Sequence, residues 1–270
     1  MTNGPSMTCT QAEKAASFAA LHLGDPFVIP NPWDAGSARI LAAFGFKALA
    51  TTSSGYAFTL GRLDGSVSLA EVAGHIETLD QATELPVSAD LENGFGPEPE
   101  QAADAVRQAA AAGAVGASIE DYDPRGHLYP LADATERVAA AARAAHSLPY
   151  PFTLTARAEN HIRGNPHLCD TITRLQAFEQ AGADVLYAPG LQRAAEIRSV
   201  CGALSKPVNV LALPHMTVAE LIDAGAQRIS VGGALAWAAI DAFAAAAGAI
   251  LAHGDFSLLR PGPPLREWFR

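Results

Sequence analysis

The chain is poor in cysteine, in basic residues and in aromatic side chains, and each shortage closes off a class of function. Three cysteines, Cys9, Cys169 and Cys201, stand far apart among 270 residues. They offer neither a disulfide framework nor the paired spacing of a thiolate metal site, as expected of a protein in the reducing cytoplasm. Lys and Arg number 18 against 28 Asp and Glu, a net charge of −10. No basic stripe gathers to follow a nucleic-acid backbone, whereas a small anionic substrate remains compatible, because the local field of a pocket outweighs the global charge. The sequence contains no Gly-x-Gly-x-x-Gly loop, no Ser-His-Asp order and no Cys-x-x-Cys pair, so the common phosphate-cradling, triad and redox signatures are missing. The first ten residues lack a basic segment followed by an apolar one, so no secretory leader is expected, and residues 1–10 are expected to be flexible. The alanine-rich run 234–252 contains Trp237 and Asp241 and is expected to be a buried or interface helix rather than a membrane span.

What is present is an apolar fraction of 49%, enough for a large core, and a regular alternation of short strands with helices. Period and punctuation predict strands at 28–29, 48–51, 87–89, 115–119, 152–156, 185–187, 208–211 and 228–231. Helices are predicted at 35–44, 69–85, 98–112, 133–146, 170–181, 194–201 and 218–224, with long loops over 52–66 and from 120 to 131. Three helices stop at the phrase Ala-Gly-Ala, at Gly113, Gly182 and Gly225, each followed by a β-branched run. With no shift in composition along 1–270, this rhythm predicts one α/β domain, a (β/α)8 TIM-type barrel. A doubly wound open sheet competes, but eight βα units without a phosphate loop weigh against it. The proline-rich tail 260–270 is expected along the surface or against a neighbouring subunit.

The polar residues that end successive strands carry the chemistry. The run Val87-Ser-Ala ends in Asp90 and Glu92 and breaks into a glycine loop; the next strand ends in Glu120, and a third ends in Arg157. In a barrel such positions share one rim. Three acids with only oxygen donors suit Mg2+, or Mn2+, which bind few carboxylates directly and keep several waters. Asp64, in Gly61-Arg-Leu-Asp-Gly65, reads on spacing alone as a turn residue. Arg157 can clamp a carboxylate bidentately or serve as the buried partner of Glu159 or Glu120. Thr52, Ser53 and Ser54 offer hydroxyls and backbone N–H groups to an oxyanion, although most such segments are plain turns. His127 and His215 lie in loops after strands, where an ordinary surface role is the default.

Asn31-Pro-Trp-Asp-Ala-Gly-Ser-Ala-Arg39, Thr51-Thr-Ser-Ser-Gly55, Ala89-Asp-Leu-Glu-Asn-Gly-Phe-Gly96, Ile119-Glu-Asp121 and Ala156-Arg-Ala-Glu159 together resemble the isocitrate lyase/phosphoenolpyruvate mutase superfamily. The resemblance runs from about Phe18 to Gly232. It implies a barrel whose final helix swaps onto a partner, placing 233–270 at the interface of a homodimer or homotetramer. It also implies Mg2+ and a substrate built on a 2-oxo acid or its enolate. Carried over residue by residue, Asp90 resembles the principal metal ligand, with Glu92, Glu120 and Asp64 holding the ion mainly through water; the resemblance thus reverses the turn reading of Asp64. Arg157 resembles the arginine that neutralises the substrate, and Thr52, Ser53 and Ser54 the segment that grips its carboxylate and oxyanion. The Lys-x-Cys-Gly segment of authentic isocitrate and methylisocitrate lyases, and the loop lysine of the mutases, are absent from Asp121-Tyr-Asp-Pro-Arg-Gly-His-Leu-Tyr-Pro130. Isocitrate cleavage is therefore not expected. What the resemblance leaves is a Mg-dependent lyase cleaving the C–C bond next to a 2-oxo acid through an enolate, in the manner of an oxaloacetate decarboxylase, with Tyr122, His127 or a water returning the proton. The alternatives are C–P chemistry on a phosphonopyruvate-like acid and a non-catalytic binder of 2-oxo acids.

Overall fold

The computed structural model describes residues 9–269. Ten strands follow in order: β1 (Phe27–Ile29), β2 (Leu49–Ala50), β3 (Val87–Asp90), β4 (Gly116–Glu120), β5 (Tyr122–Asp123), β6 (His127–Leu128), β7 (Thr153–Arg157), β8 (Val185–Tyr187), β9 (Val208–Leu211) and β10 (Arg228–Ser230). Eight of them form one parallel sheet in the order β1-β10-β9-β8-β7-β4-β3-β2, while β5 and β6 pair as a separate antiparallel hairpin. The helices are α1 (Gln11–Leu21), α2 (Ala35–Ala43), α3 (Ser53–Thr59), α4 (Leu69–Ala82), α5 (Pro99–Ala111), α6 (Leu131–His146), α7 (Leu168–Gln180), α8 (Ala194–Gly202), α9 (Val218–Asp223), α10 (Ala234–His253) and α11 (Leu265–Trp268). Alternating parallel strands and outer helices make the expected barrel.

Between β1 and β2 the sheet is stitched by few bonds. Ala50 N–H donates to Pro30 O at 3.0 Å, and the buried Asn31 side chain does the rest. Asn31 Nδ2 donates to Thr51 O at 2.9 Å, and its Oδ1 accepts from Val231 N at 3.0 Å and Gly232 N at 2.9 Å. One amide thereby ties β1 to both neighbours and closes the ring. The three Ala-Gly-Ala stops behave as read: Gly113, Gly182 and Gly225 share φ +106, a left-handed turn that an L side chain would strain.

Several elements differ from the sequence reading. The segment 52–66 is not all loop, since α3 begins at Ser53, capped by Thr52, whose hydroxyl accepts from Gly55 N at 3.4 Å. The segment 120–131 folds into the β5–β6 hairpin. Helix α1, absent from that reading, seals the end of the barrel where the strands begin; Phe18 is fully buried with Ile29, Ala48 and Val115. Of the N-terminal stretch expected to be flexible, residues 1–8 lie outside the described residues; Thr10 caps α1 and bonds Glu13 Oε2 at 2.8 Å. Helix α10, expected to be buried or at an interface, is not buried in its own chain: only Ala236 of its 20 residues is buried. It is also long and apolar enough to cross a membrane. The tail turns back over α2, with Trp268 edge-on to Phe44 at 5.6 Å and Arg39 over Phe269 at 5.7 Å.

Candidate active site

Strand register brings the predicted residues to one rim. Asp90 pairs with Ser118 across β3 and β4, and Glu120 pairs with Arg157 across β4 and β7. Register partners in parallel strands point to the same face, so the acid and the guanidinium meet directly. Arg157 Nη2 lies 2.5 Å from Glu120 Oε2, Nη1 lies 3.7 Å from Asp90 Oδ1, and Nε bonds Glu159 Oε1. Arg157 is thus a largely buried ion-pair partner of Glu120 and Glu159, and it also lines two cavities at the rim.

Asp90 is held from several sides. Its backbone N–H donates to Thr51 Oγ1 at 2.7 Å, and its carboxylate accepts from Ser53 N and from Glu92 N, each at 3.3 Å. The backbone that follows is unusual, since Glu92 has φ +47 and Phe95 φ +60, a region that non-glycine residues visit rarely. Arg137, buried on α6, holds this loop by donating to the carbonyls of Asn93 and Pro97. Asn93 Nδ2 adds a bond to Tyr129 Oη at 3.1 Å.

Asp64, Glu92, Glu120, Ser53, Tyr122, Arg157 and Arg163 line a cavity of about 290 Å³. Asp64 thus faces Glu92 rather than merely turning the chain. Burial, helped by Asp90 and Asp64, pushes the Glu92 carboxyl up to about 7. Burial also lifts Glu120 above the usual carboxylate range, against the pull of Arg157. Arg157 is itself buried, yet Glu120, Glu159 and Asp90 hold it firmly charged. Glu92 Oε1 is buried with no hydrogen-bond partner. Oxygen donors only, crowded acids and an orphaned carboxylate oxygen fit a hard divalent cation. Among the described residues no three Asp, Glu, His or Cys side chains already converge as direct ligands. The fit is therefore to an ion held by few carboxylates and otherwise through water.

The remaining predicted residues divide. Thr52 lines the deeper cavity and Ser53 the outer one. Ser54 lines neither; its hydroxyl lies 3.2 Å from that of Thr52. Tyr122 lines the outer cavity, with the Arg163 guanidinium stacked 3.8 Å above its ring. His127 sits on β6, more than half exposed, 3.9 Å from Asp123 and outside both cavities. His215 bonds Gln192 O at 3.0 Å, an ordinary surface contact.

Sequence reasoning missed the supports. Arg163 pairs with Glu159 at 2.9 Å and reaches Glu120 at 3.8 Å. Buried Asp121 accepts from Glu159 N at 2.8 Å and pairs with Arg174 at 3.0 Å. Arg174 also donates to Tyr129 O at 3.1 Å, so α7 fixes the base of the hairpin beside the site. The Glu120-Asp121 and Arg157-x-Glu159 pairs, two acids or an acid and a base at strand ends, were the only sequence signal of this network.

Comparison with known proteins identifies the family and agrees with the barrel fold. Residues 18–251 match the family model described as phosphoenolpyruvate phosphomutase. A candidate lyase/mutase from Burkholderia cenocepacia J2315, solved by crystallography, superposes with TM-score 0.92 at 50% identity, covering 96% of each chain. The 2-methylisocitrate lyase of Halalkalibacterium halodurans is 31% identical over 82% of this chain and 76% of its own. The oxaloacetate decarboxylase of Bradyrhizobium diazoefficiens is 29% identical over 73% of this chain and 67% of its own. The chain belongs to the phosphoenolpyruvate phosphomutase family, within the isocitrate lyase/phosphoenolpyruvate mutase superfamily of carbon–carbon lyases and mutases.

Proposed function

We propose that the protein is a Mg2+-dependent lyase that cleaves the C–C bond adjacent to a small 2-oxo acid, with oxaloacetate the simplest substrate. The observation that carries this reading is the rim itself, where Asp90, Glu120 and Glu159 pair with Arg157 and Glu92, beside Asp64, keeps a buried oxygen unpartnered. Asp90 would hold the ion, with Glu92, Glu120 and Asp64 acting mainly through water. When bound, a divalent ion supplies Lewis-acid stabilisation of developing negative charge. Arg157 binds and orients the substrate carboxylate, exchanging part of its ion pairing for it. Thr52, at the deeper cavity, and Ser53, at the outer one, would add donors for an oxyanion. Tyr122, which lines the outer cavity, would return a proton to the enolate carbon left on the pyruvate fragment after the bond breaks; His127 lies outside the cavities. The hairpin carries neither lysine nor cysteine between Asp121 and Pro130, which favours simple cleavage over isocitrate or C–P chemistry. The exposed apolar face of α10 fits a second copy of the chain, so a homodimer or homotetramer belongs to the same proposal.

The test is pyruvate release from a panel of 2-oxo acids with Mg2+. Turnover of one of them should vanish on chelation and fall at least about a hundredfold in Asp90→Ala. Full turnover by that variant, or silence across the panel, would overturn the reading.

A further inference from the structure

The row of register partners that includes Glu120 and Arg157 does not stop at β7. Arg157 pairs with Tyr187, Tyr187 with Asn209, and Asn209 with Arg228. A second arginine therefore faces the barrel axis, deeper than the rim. Arg228 is 5% exposed and lines the same cavity, of about 70 Å³, as Asp90 and Arg157.

Its partners are all uncharged. Nε donates to Asn209 Oδ1 at 2.9 Å, and Nη2 to Thr155 Oγ1 at 2.8 Å. Nη1 lies 3.2 Å from His22 Nε2. His22 Nδ1 lies 2.8 Å from Phe18 O, which only accepts, so Nδ1 carries the proton and Nε2 is a lone pair. Burial, with Arg228 alongside, holds His22 down to about 3, and the ring is neutral. Burial also pulls Arg228 down to about 10, which leaves it charged at neutral pH. A guanidinium has five N–H bonds, and three are used. One on each terminal nitrogen has no acceptor among the described residues, and no carboxylate there pairs with the charge. A buried cation of this kind is costly without an anion, and the cavity it lines gives an anion access to it.

We propose that Arg228 is a substrate-binding residue, the cationic floor of the cavity, which takes a carboxylate oxygen of the acid while Asp90 and Arg157 act at the mouth. The cavity is small, about 70 Å³, which suits a fragment of two or three carbons at the floor. The retained 2-oxo acid fragment therefore lies deep and the departing carbon faces the hairpin. This rests on the 2-oxo acid reading above and adds the end-to-end orientation of the substrate.

The test uses the full chain with Mg2+ and two ligands of equal size, oxalate with two charges and oxamate with one. Dissociation constants are measured for the wild type, Arg228→Gln and Asn209→Asp. The last keeps the shape of the network but gives Arg228 an internal carboxylate, so it stands in if Arg228→Gln does not fold. Oxalate should weaken more than about tenfold in either variant. The oxalate-to-oxamate preference should shrink as well, which a merely structural arginine would not bring about. Wild-type preference retained in a folded variant overturns the inference and leaves the lyase reading standing. Failure of the wild type itself to bind oxalate overturns both.

Discussion

Replacing Glu92 by glutamine should make the metal-free protein more stable at alkaline pH, although Glu92 lines the cavity at the rim. The side chain is largely buried, Oε1 has no partner, and Asp90 and Asp64 repel its charge. Its carboxyl moves from 4.5 in the unfolded chain to about 7 in the fold. Unfolding then releases a proton between these values, so the stability contributed by the protonated acid is present below 4.5 and lost as pH rises to 7. At about 1.4 kcal/mol for each tenfold in proton affinity, ionised Glu92 costs the fold about 3 kcal/mol above pH 7. Glu92→Gln removes that cost, which for a chain of this length corresponds to a rise in Tm of roughly 5–10 °C. Thermal melts in EDTA at pH 5 and pH 8 measure it: the variant should match the wild type near pH 5 and exceed it at pH 8. Added Mg2+ should raise the wild-type Tm more than that of the variant. Equal melting of the two proteins at pH 8 in EDTA would refute the reasoning, because the crowding of acids would then cost nothing.

Two further substitutions probe the supports of the site. Gly94→Ala places a Cβ 2.8 Å from Ala102 Cα at φ +81 and should cost at least about 2 kcal/mol in chemical denaturation. Asn31→Ala removes the acceptor for two backbone N–H groups and the donor to Thr51 O. It should cost about 2–4 kcal/mol in the same assay, and a loss under 1 kcal/mol would show that the seam does not depend on it.

Much of the rim was legible because its residues end apolar runs. Asp90, Glu120 and Arg157 each follow a short strand, and a barrel gathers strand ends in one place. Asp64 was not legible from spacing: Gly61-Arg-Leu-Asp-Gly65 has the composition of a turn, and only the fold brings it to Glu92. Helix α3 was hidden because Thr-Ser-Ser-Gly reads as loop, and the hairpin because two-residue strands carry no period. Arg137 and Arg174 sit in helices whose polar residues usually face water, so nothing in the pattern marks them as buried clamps. Arg228 opens a strand and reads as its polar end; its place on the axis depends on the stagger of the ring. Helix α10 is apolar all round, which suggests a buried or an interface helix; within its own chain it is exposed.

The closing of the ring by Asn31 has a consequence for how the protein breathes. Strands β4 and β7 share five register pairs, whereas Ala50 N–H gives β2 one backbone bond to the β1 segment. Cooperative units of unequal strength open separately, and the weakest stitch lies beside Thr51, whose hydroxyl holds the Asp90 backbone. Brief opening at this seam loosens the principal acid while the rest of the barrel stays folded. Heating would therefore loosen the backbone at Asp90 before the chain melts, and the first part of the rim to give way would be set by one amide side chain rather than by the core.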